Sequence, residues 1–273
     1  MIKRIVASVI LLPLLLLVLL AAHKICTAFL FAALAAIAAF ELLWSTGLVK
    51  EIRLVVYTVV IAALVPIWSH FGCDQTLAQA GILAFFLLLF MEMMISHAKL
   101  DFRKIAVCIT GGLLIPYMMA SLVRITVFDS GRLLILIPFV IAFMSDSGAY
   151  FVGCAIGKHK MAPVISPKKS WEGFLGGLIT AILGMILYAW ILAVCFQGQV
   201  NYIFAGIYGL LGALGGVFGD LCFSVIKRQT GIKDYGNLIP GHGGVLDRFD
   251  SILVVAPLVE LLLQWMPMVV NYG

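Results

Sequence analysis

Apolar residues run along the chain in stretches of about 18–25, each long enough for an α-helix to cross a hydrocarbon core of ~30 Å, with short clusters of charged and turn-forming residues between them. The pattern predicts nine spans, near 5–22, 26–44, 54–72, 76–96, 105–123, 133–153, 174–196, 202–226 and 251–270. The expected fold class is therefore all-α, a polytopic integral membrane protein. The first span follows Lys3 and Arg4. Its apolar run exceeds the ~7–15 residues of a signal peptide and no convincing small-residue cleavage site follows, so it is read as an uncleaved span.

Composition strengthens this reading and closes others. Of 273 residues 63% are hydrophobic and 11% are charged, against roughly 25% charged in a soluble domain, and the mean hydropathy is +1.15. A soluble enzyme, a disordered chain and a nucleic-acid-binding protein are excluded. The six cysteines, Cys26, Cys73, Cys108, Cys154, Cys195 and Cys222, have no paired spacing and read as small apolar residues.

The net charge of +5 matters less than its placement. With nine spans and a cytoplasmic amino terminus, the inner segments hold Lys3, Arg4, Lys50, Arg53, Lys99, Arg103, Lys104, Lys158, Lys160, Lys168, Lys169, Lys227, Arg228, Lys233 and Arg248. The outer ones hold Lys24, Arg124 and Arg132, which completes the 18 basic residues. The positive-inside rule thus sets the amino terminus in the cytoplasm. Two inner loops, 154–173 and 227–250, are long and mix basic residues with acids and glycines. They divide the chain into a scaffold of membrane helices over 1–125 and a catalytic portion over 126–273.

An ionisable group in lipid costs roughly 2.5–3.5 kcal/mol on insertion scales, so each one asks for a reason. Glu41 and Glu92 lie near inner ends of spans, where snorkelling or local pairing suffices, and Glu260 sits deeper with no partner nameable from sequence. Asp220, Ser224 and Lys227 are spaced i, i+4, i+7, which stacks a carboxylate, a hydroxyl and an ammonium on one stripe. Asp146, Tyr150 and Gly153 repeat that spacing on another span. Gly206, Gly209, Gly212, Gly215, Gly216 and Gly219 form a small-residue face on the span that carries Asp220, suited to close helix packing.

Residues 224–250 gather most of the candidate chemistry. They supply Lys227, Arg228 and Lys233, then the turn Pro240-Gly241-His242-Gly243-Gly244, then Asp247, Arg248 and Asp250. Consecutive glycines can bring backbone N–H groups to an anion, and lysine and arginine neutralise phosphate oxygens. Asp220, Asp247 and Asp250 are hard oxygen ligands, which suit Mg²⁺ rather than zinc. Singly, Asp247 and Asp250 are also accounted for as acids at a helix start, and His242 as a loop hydrogen-bonding group.

The string S-x-x-K-R-x4-K-D-x5-P-x-H-G-G-x-x-D-R-x-D from Ser224 to Asp250 resembles the signature of the phosphatidate cytidylyltransferase (CDP-diacylglycerol synthase) family. An upstream block is also similar to that family: Asp146-Ser-Gly-Ala-Tyr-Phe-Val-Gly153, Gly157-Lys158, and Ser166-Pro-Lys-Lys-Ser-Trp-Glu-Gly173. Ser147 and Ser170 stand where the family commonly has threonine. The resemblance covers about residues 140–256, and the first four spans in hydropathy alone.

The resemblance implies transfer of a cytidylyl group from CTP to phosphatidic acid at the cytoplasmic face of the inner membrane, giving CDP-diacylglycerol and pyrophosphate. The lipid phosphomonoester is largely ionised near pH 7, its second pKa being about 6, so no general base is required. The cofactor expected is Mg²⁺, two cations per site, on Asp220, Asp247 and Asp250. Lys227, Arg228 and Arg248 are expected to hold phosphate oxygens, and Ser224 to position a phosphate or a metal-bound water. Asp146, Ser166, Lys168, Lys169 and Glu172 fall to the nucleotide half, with Lys233, His242, Gly243 and Gly244 as further binding residues. A homodimer is expected from the resemblance and the small-residue faces. The alternatives are a CTP-dependent polyprenol or phytol kinase and a secondary transporter. Inverted repeats, which would support the transporter, are not visible, and the D-G-x-x-A-R pattern of a CDP-alcohol phosphotransferase is missing.

Overall fold

A computed structural model describes residues 13–72, 74–96, 100–128, 130–196, 198–238 and 243–271. The chain divides into two compact units. One comprises 1–127 with 229–248, the other 128–228 with 249–273. These units differ from the expected scaffold over 1–125 and catalytic portion over 126–273 in that the segment 229–248 groups with the amino-terminal helices.

The first unit starts with a helix at 13–20 (α1). Next come α2 (Lys24–Phe40), which continues into a π-helical turn at Glu41–Ser45, α3 (Ile52–Phe71) and α4 (Gln75–Ile95). Then α5 (Phe102–Ile109) passes through a second π turn, Thr110–Leu114, into α6 (Ile115–Ile125). Local signals set the ends. Asp74 and Asp101 cap α4 and α5 by accepting from the N–H groups of Thr76 and Arg103, both at 3.2 Å, and Gly72 ends α3 in the left-handed region at φ +60°. Arg53 and the Tyr57 hydroxyl engage Glu92, at 3.6 and 3.2 Å. That is the local pairing expected of this acid.

The second unit contains α7 (Gly131–Leu134), α8 (Ile137–Ile156), the antiparallel hairpin β1 (Lys160–Ala162) and β2 (Ser166–Ser170), α9 (Trp171–Phe196), β3 (Gln199–Val200) and α10 (Tyr202–Gln229). The chain returns through α11 (Leu246–Phe249), which straddles the unit boundary, to α12 (Ile252–Trp265) and β4 (Val269–Asn271), the latter antiparallel to β3. Glycines bring the long helices together. A Cβ at Gly177 would lie 2.7 Å from the Ser145 carbonyl oxygen, and one at Gly209 would lie 2.7 Å from both the Ala181 carbonyl oxygen and the Ile182 Cα. Gly219 admits the Asp250 carbonyl at similar range. These approaches are the close packing expected of the small-residue face.

Seven helices among the described residues are long and apolar enough to span a membrane: 24–45, 52–71, 75–95, 102–125, 131–156, 171–196 and 202–229. Exposed Phe151, Trp190, Ile203 and Phe218 line their outer surfaces, where lipid is the natural solvent. The expected span 5–22 lies outside the described residues over 5–12, and its remainder carries helix α1 at 13–20. The expected span 251–270 is shorter than predicted. Its helix holds 14 residues and ends at Trp265, because the apolar residues that follow enter strand β4. The all-α class holds apart from two two-stranded pairings.

Candidate active site

In the second unit the site is built around the carboxyl-terminal part of α10. Asp220, Ser224 and Lys227 share a stripe as the spacing predicts, and the Ser224 hydroxyl donates to Asp220 Oδ1 at 3.2 Å. Lys169 of β2 forms an ion pair with Asp220 Oδ2, both side chains about three-quarters buried. A residue assigned to the nucleotide half is thereby joined to one assigned to the metal. Arg228 extends from the same helix end and donates from Nε to the Ile165 carbonyl at 3.1 Å, tying α10 to the hairpin.

Asp250 lies between α11 and α12, outside the spanning helices. Its Oδ1 accepts from the Ser251 N–H at 2.8 Å. Burial pushes its carboxyl up to about 7, the neighbouring carboxylates Asp220 and Asp146 push in the same direction, and the Ser251 N–H and Lys227 oppose them. Two further acids and a lysine therefore act on Asp250 in this unit. Among the described residues no group of three or more His, Cys, Asp or Glu side chains is gathered closely enough to hold a metal ion.

The hairpin leading into α9 is held by its own residues. Glu172 accepts from the N–H groups of Lys158 and His159, each at 3.2 Å, and pairs with His159 Nδ1. Its carboxylate is thus committed to shaping the 157–170 turn. Buried Ser170 accepts from the Gly173 N–H at 3.1 Å and packs beside Gly153 and Gly157. Those three glycines converge there on one serine. Ser166 is half-buried, and Lys168, Lys158 and Lys160 are exposed.

In the first unit, the segment 229–248 presents Lys233 and Arg248 to solvent and buries Asp247. Asp247 Oδ2 accepts from the N–H groups of Tyr235 and Gly244, at 2.7 and 3.0 Å. Gly243 has φ +86°, and a Cβ there would lie 2.9 Å from that same oxygen, so the second half of the His-Gly-Gly turn requires glycine. His242 lies outside the described residues. The neighbouring amides are also engaged, because Val245 and Leu246 donate to Glu41 Oε1 and Oε2 at 3.0 and 2.8 Å. The Gly244 N–H, part of the glycine turn offered to an anion, and the two N–H groups that follow it are thus held by protein carboxylates. The sequence signal for Glu41 was an acid near the end of a span; its partners, some 200 residues away, carried none.

A family model described as the cytidylyltransferase family matches residues 2–266. The phosphatidate cytidylyltransferase of Staphylococcus haemolyticus is 31% identical over 243 residues, 87% of this chain and 90% of that protein. Those of Haemophilus influenzae and Staphylococcus aureus strain N315 are 45% identical over 127 residues and 46% over 129. These two alignments take in 46% and 47% of this chain, and in them it spans about half the length of the curated relatives it matches, 44% and 48%. With a family model that runs over almost its whole length and a full-length relative above 30% identity, the chain belongs to the cytidylyltransferase family.

Proposed function

We propose that this chain transfers the cytidylyl group of CTP to phosphatidic acid. An oxygen of the lipid phosphomonoester bonds to the α-phosphorus of CTP as the bond to the β-phosphate oxygen breaks, giving CDP-diacylglycerol and pyrophosphate. The observation that carries this reading is the charged cluster at the end of α10, where Asp220 pairs with Lys169 and crowds Asp250 beside Lys227. Two polyanions must be brought together, and fixed cations at the end of a membrane helix answer that need where a lipid headgroup meets water. Lys169, Lys227 and Arg228 neutralise phosphate oxygens in this unit, and Ser224 orders the Asp220 carboxylate. In the other unit, exposed Lys233 and Arg248 are the phosphate-binding cations, with Asp247 shaping the turn between them. The lipid phosphate needs no base to ionise it.

The cation we expect is Mg²⁺, held by the hard oxygen donors of two acids of this unit rather than by a cluster of three. Asp220 and Asp250 offer oxygen ligands, and a divalent cation would relieve both the burial that mainly raises the Asp250 carboxyl and the repulsion from Asp220 that adds to it. When bound, Mg²⁺ supplies positive charge for the phosphoryl oxygens. Asp247, the remaining expected ligand, keeps one oxygen on backbone amides. The active face is cytoplasmic by the distribution of basic residues.

The test is release of pyrophosphate by detergent-purified protein given CTP, phosphatidic acid and Mg²⁺, with Asp250→Asn alongside. Release that needs both substrates and is lost in a folded Asp250→Asn variant supports the reading. CDP and a doubly phosphorylated lipid in place of pyrophosphate would assign the chain to the kinases.

A further inference from the structure

Glu41 stands apart from every motif, yet it is among the most enclosed charged residues described. It is 3% exposed, and so are its partners to a similar degree, Val245 at 1% and Leu246 at 0%. Both of its oxygens are used, one for each of two successive amides of the segment that runs from the glycine turn into Asp247 and Arg248. Two glycines make room for it. A Cβ on Gly244 would lie 2.5 Å from Oε2, and one on Gly236 would lie 2.9 Å from the carboxyl carbon. A π-helical turn starts at Glu41 itself, Glu41–Ser45, stabilised by the Thr46 hydroxyl donating to the Leu42 carbonyl at 2.5 Å. Widening a helix at one turn re-aims the side chains there, and such turns collect at functional positions.

Together with Asp247, Glu41 holds three consecutive amides, those of Gly244, Val245 and Leu246. Charge-assisted bonds from a rigid helix fix a turn far better than the turn can fix itself. We infer that Glu41 is a positioning residue for cytidylyl transfer, a buried clasp on α2 that sets the backbone from which Asp247 and Arg248 project. This inference rests on the activity proposed above. Glu41 reaches no substrate and acts through the 244–248 backbone alone.

The experiment compares wild-type protein with Glu41→Gln and Glu41→Asp in detergent, measuring folding, kcat, KM for each substrate, and hydrogen exchange of the Val245 and Leu246 amides. Glutamine has one acceptor oxygen where two amides need one each. The expected result is a folded Glu41→Gln protein in which kcat falls about 10–100-fold, KM for CTP stays within about twofold, and those two amides exchange rapidly. Glu41→Asp restores part of kcat. A purely structural role would lower the melting temperature and leave kcat of the folded fraction unchanged. That outcome, or slow exchange of both amides in folded Glu41→Gln, overturns the inference. If Glu41→Gln does not fold, Glu41→Asp carries the same kcat comparison. In wild-type protein, rapid exchange at 245 and 246 overturns the clasp whether or not CTP is consumed, which separates its failure from failure of the proposed reaction.

Discussion

Gly243 is the residue at which backbone geometry constrains the site most directly. At φ +86° any side chain is strained, and a Cβ would press on the Asp247 oxygen that orders the turn. Gly243→Ala is expected to cost about 1–2 kcal/mol, read as a lower melting temperature, with a larger fall in pyrophosphate release because Asp247 must move. Asp250 supports a second expectation. Burial pushes its carboxyl up to about 7, with Asp220 and Asp146 adding to the shift, so a divalent cation bound beside these acids should stabilise the protein by mass action. Millimolar Mg²⁺ is expected to raise the melting temperature of the wild type and chelation to lower it, whereas Asp250→Asn should respond weakly to both. At this scale the sequence was readable where spacing within one helix decided the contact, as for Asp220 and Ser224. It was silent for Lys169 and Asp220 and for Glu41 and Val245, since pairs so distant in the chain leave no periodic trace.

The elements divide along the same line. Hydropathy located the seven long helices to within a few residues, because burying backbone in lipid demands unbroken helical hydrogen bonding over about 20 residues. It overran α12, where the apolar residues Val269 and Val270 enter a strand pairing with β3. It also missed the 160–170 hairpin, whose lysines resemble any inner loop until Glu172 is seen to gather the amides of Lys158 and His159. The glycine face of α10 admits a sharp test. Gly209→Leu would drive a side chain into the Ala181 carbonyl and the Ile182 backbone, and overpacking of this kind costs about 1–3 kcal/mol. Thermal unfolding in detergent should report that loss, while Gly206→Leu, with nothing nearer than 3.9 Å, should be close to neutral.

For the whole molecule, the division of basic residues predicts that the 154–173 loop faces the cytoplasm and the link between α6 and α7 the outside. Val164, 85% exposed at the hairpin tip, and Val127, 62% exposed, sit on opposite sides of that division. In a cysteine-free background, Val164→Cys is expected to react with a membrane-impermeant thiol reagent only in opened vesicles, and Val127→Cys in intact cells. The reverse pattern would invert the topology and with it the cytoplasmic site.

By itself the sequence determined that the protein is a bundle of membrane helices, which ends of those helices carry charge, and that its carboxyl-terminal half bears a cytidylyltransferase signature. These are properties of local period and composition, and lipid enforces them without regard to tertiary partners. Tertiary structure alone decided that residues 229–248 fold with the amino-terminal helices, that Lys169 neutralises Asp220, and that the amides of Gly244, Val245 and Leu246 serve Asp247 and Glu41. The physical reason is that a buried carboxylate must find donors wherever the fold brings them, and a chain read one residue at a time does not say which distant backbone will arrive.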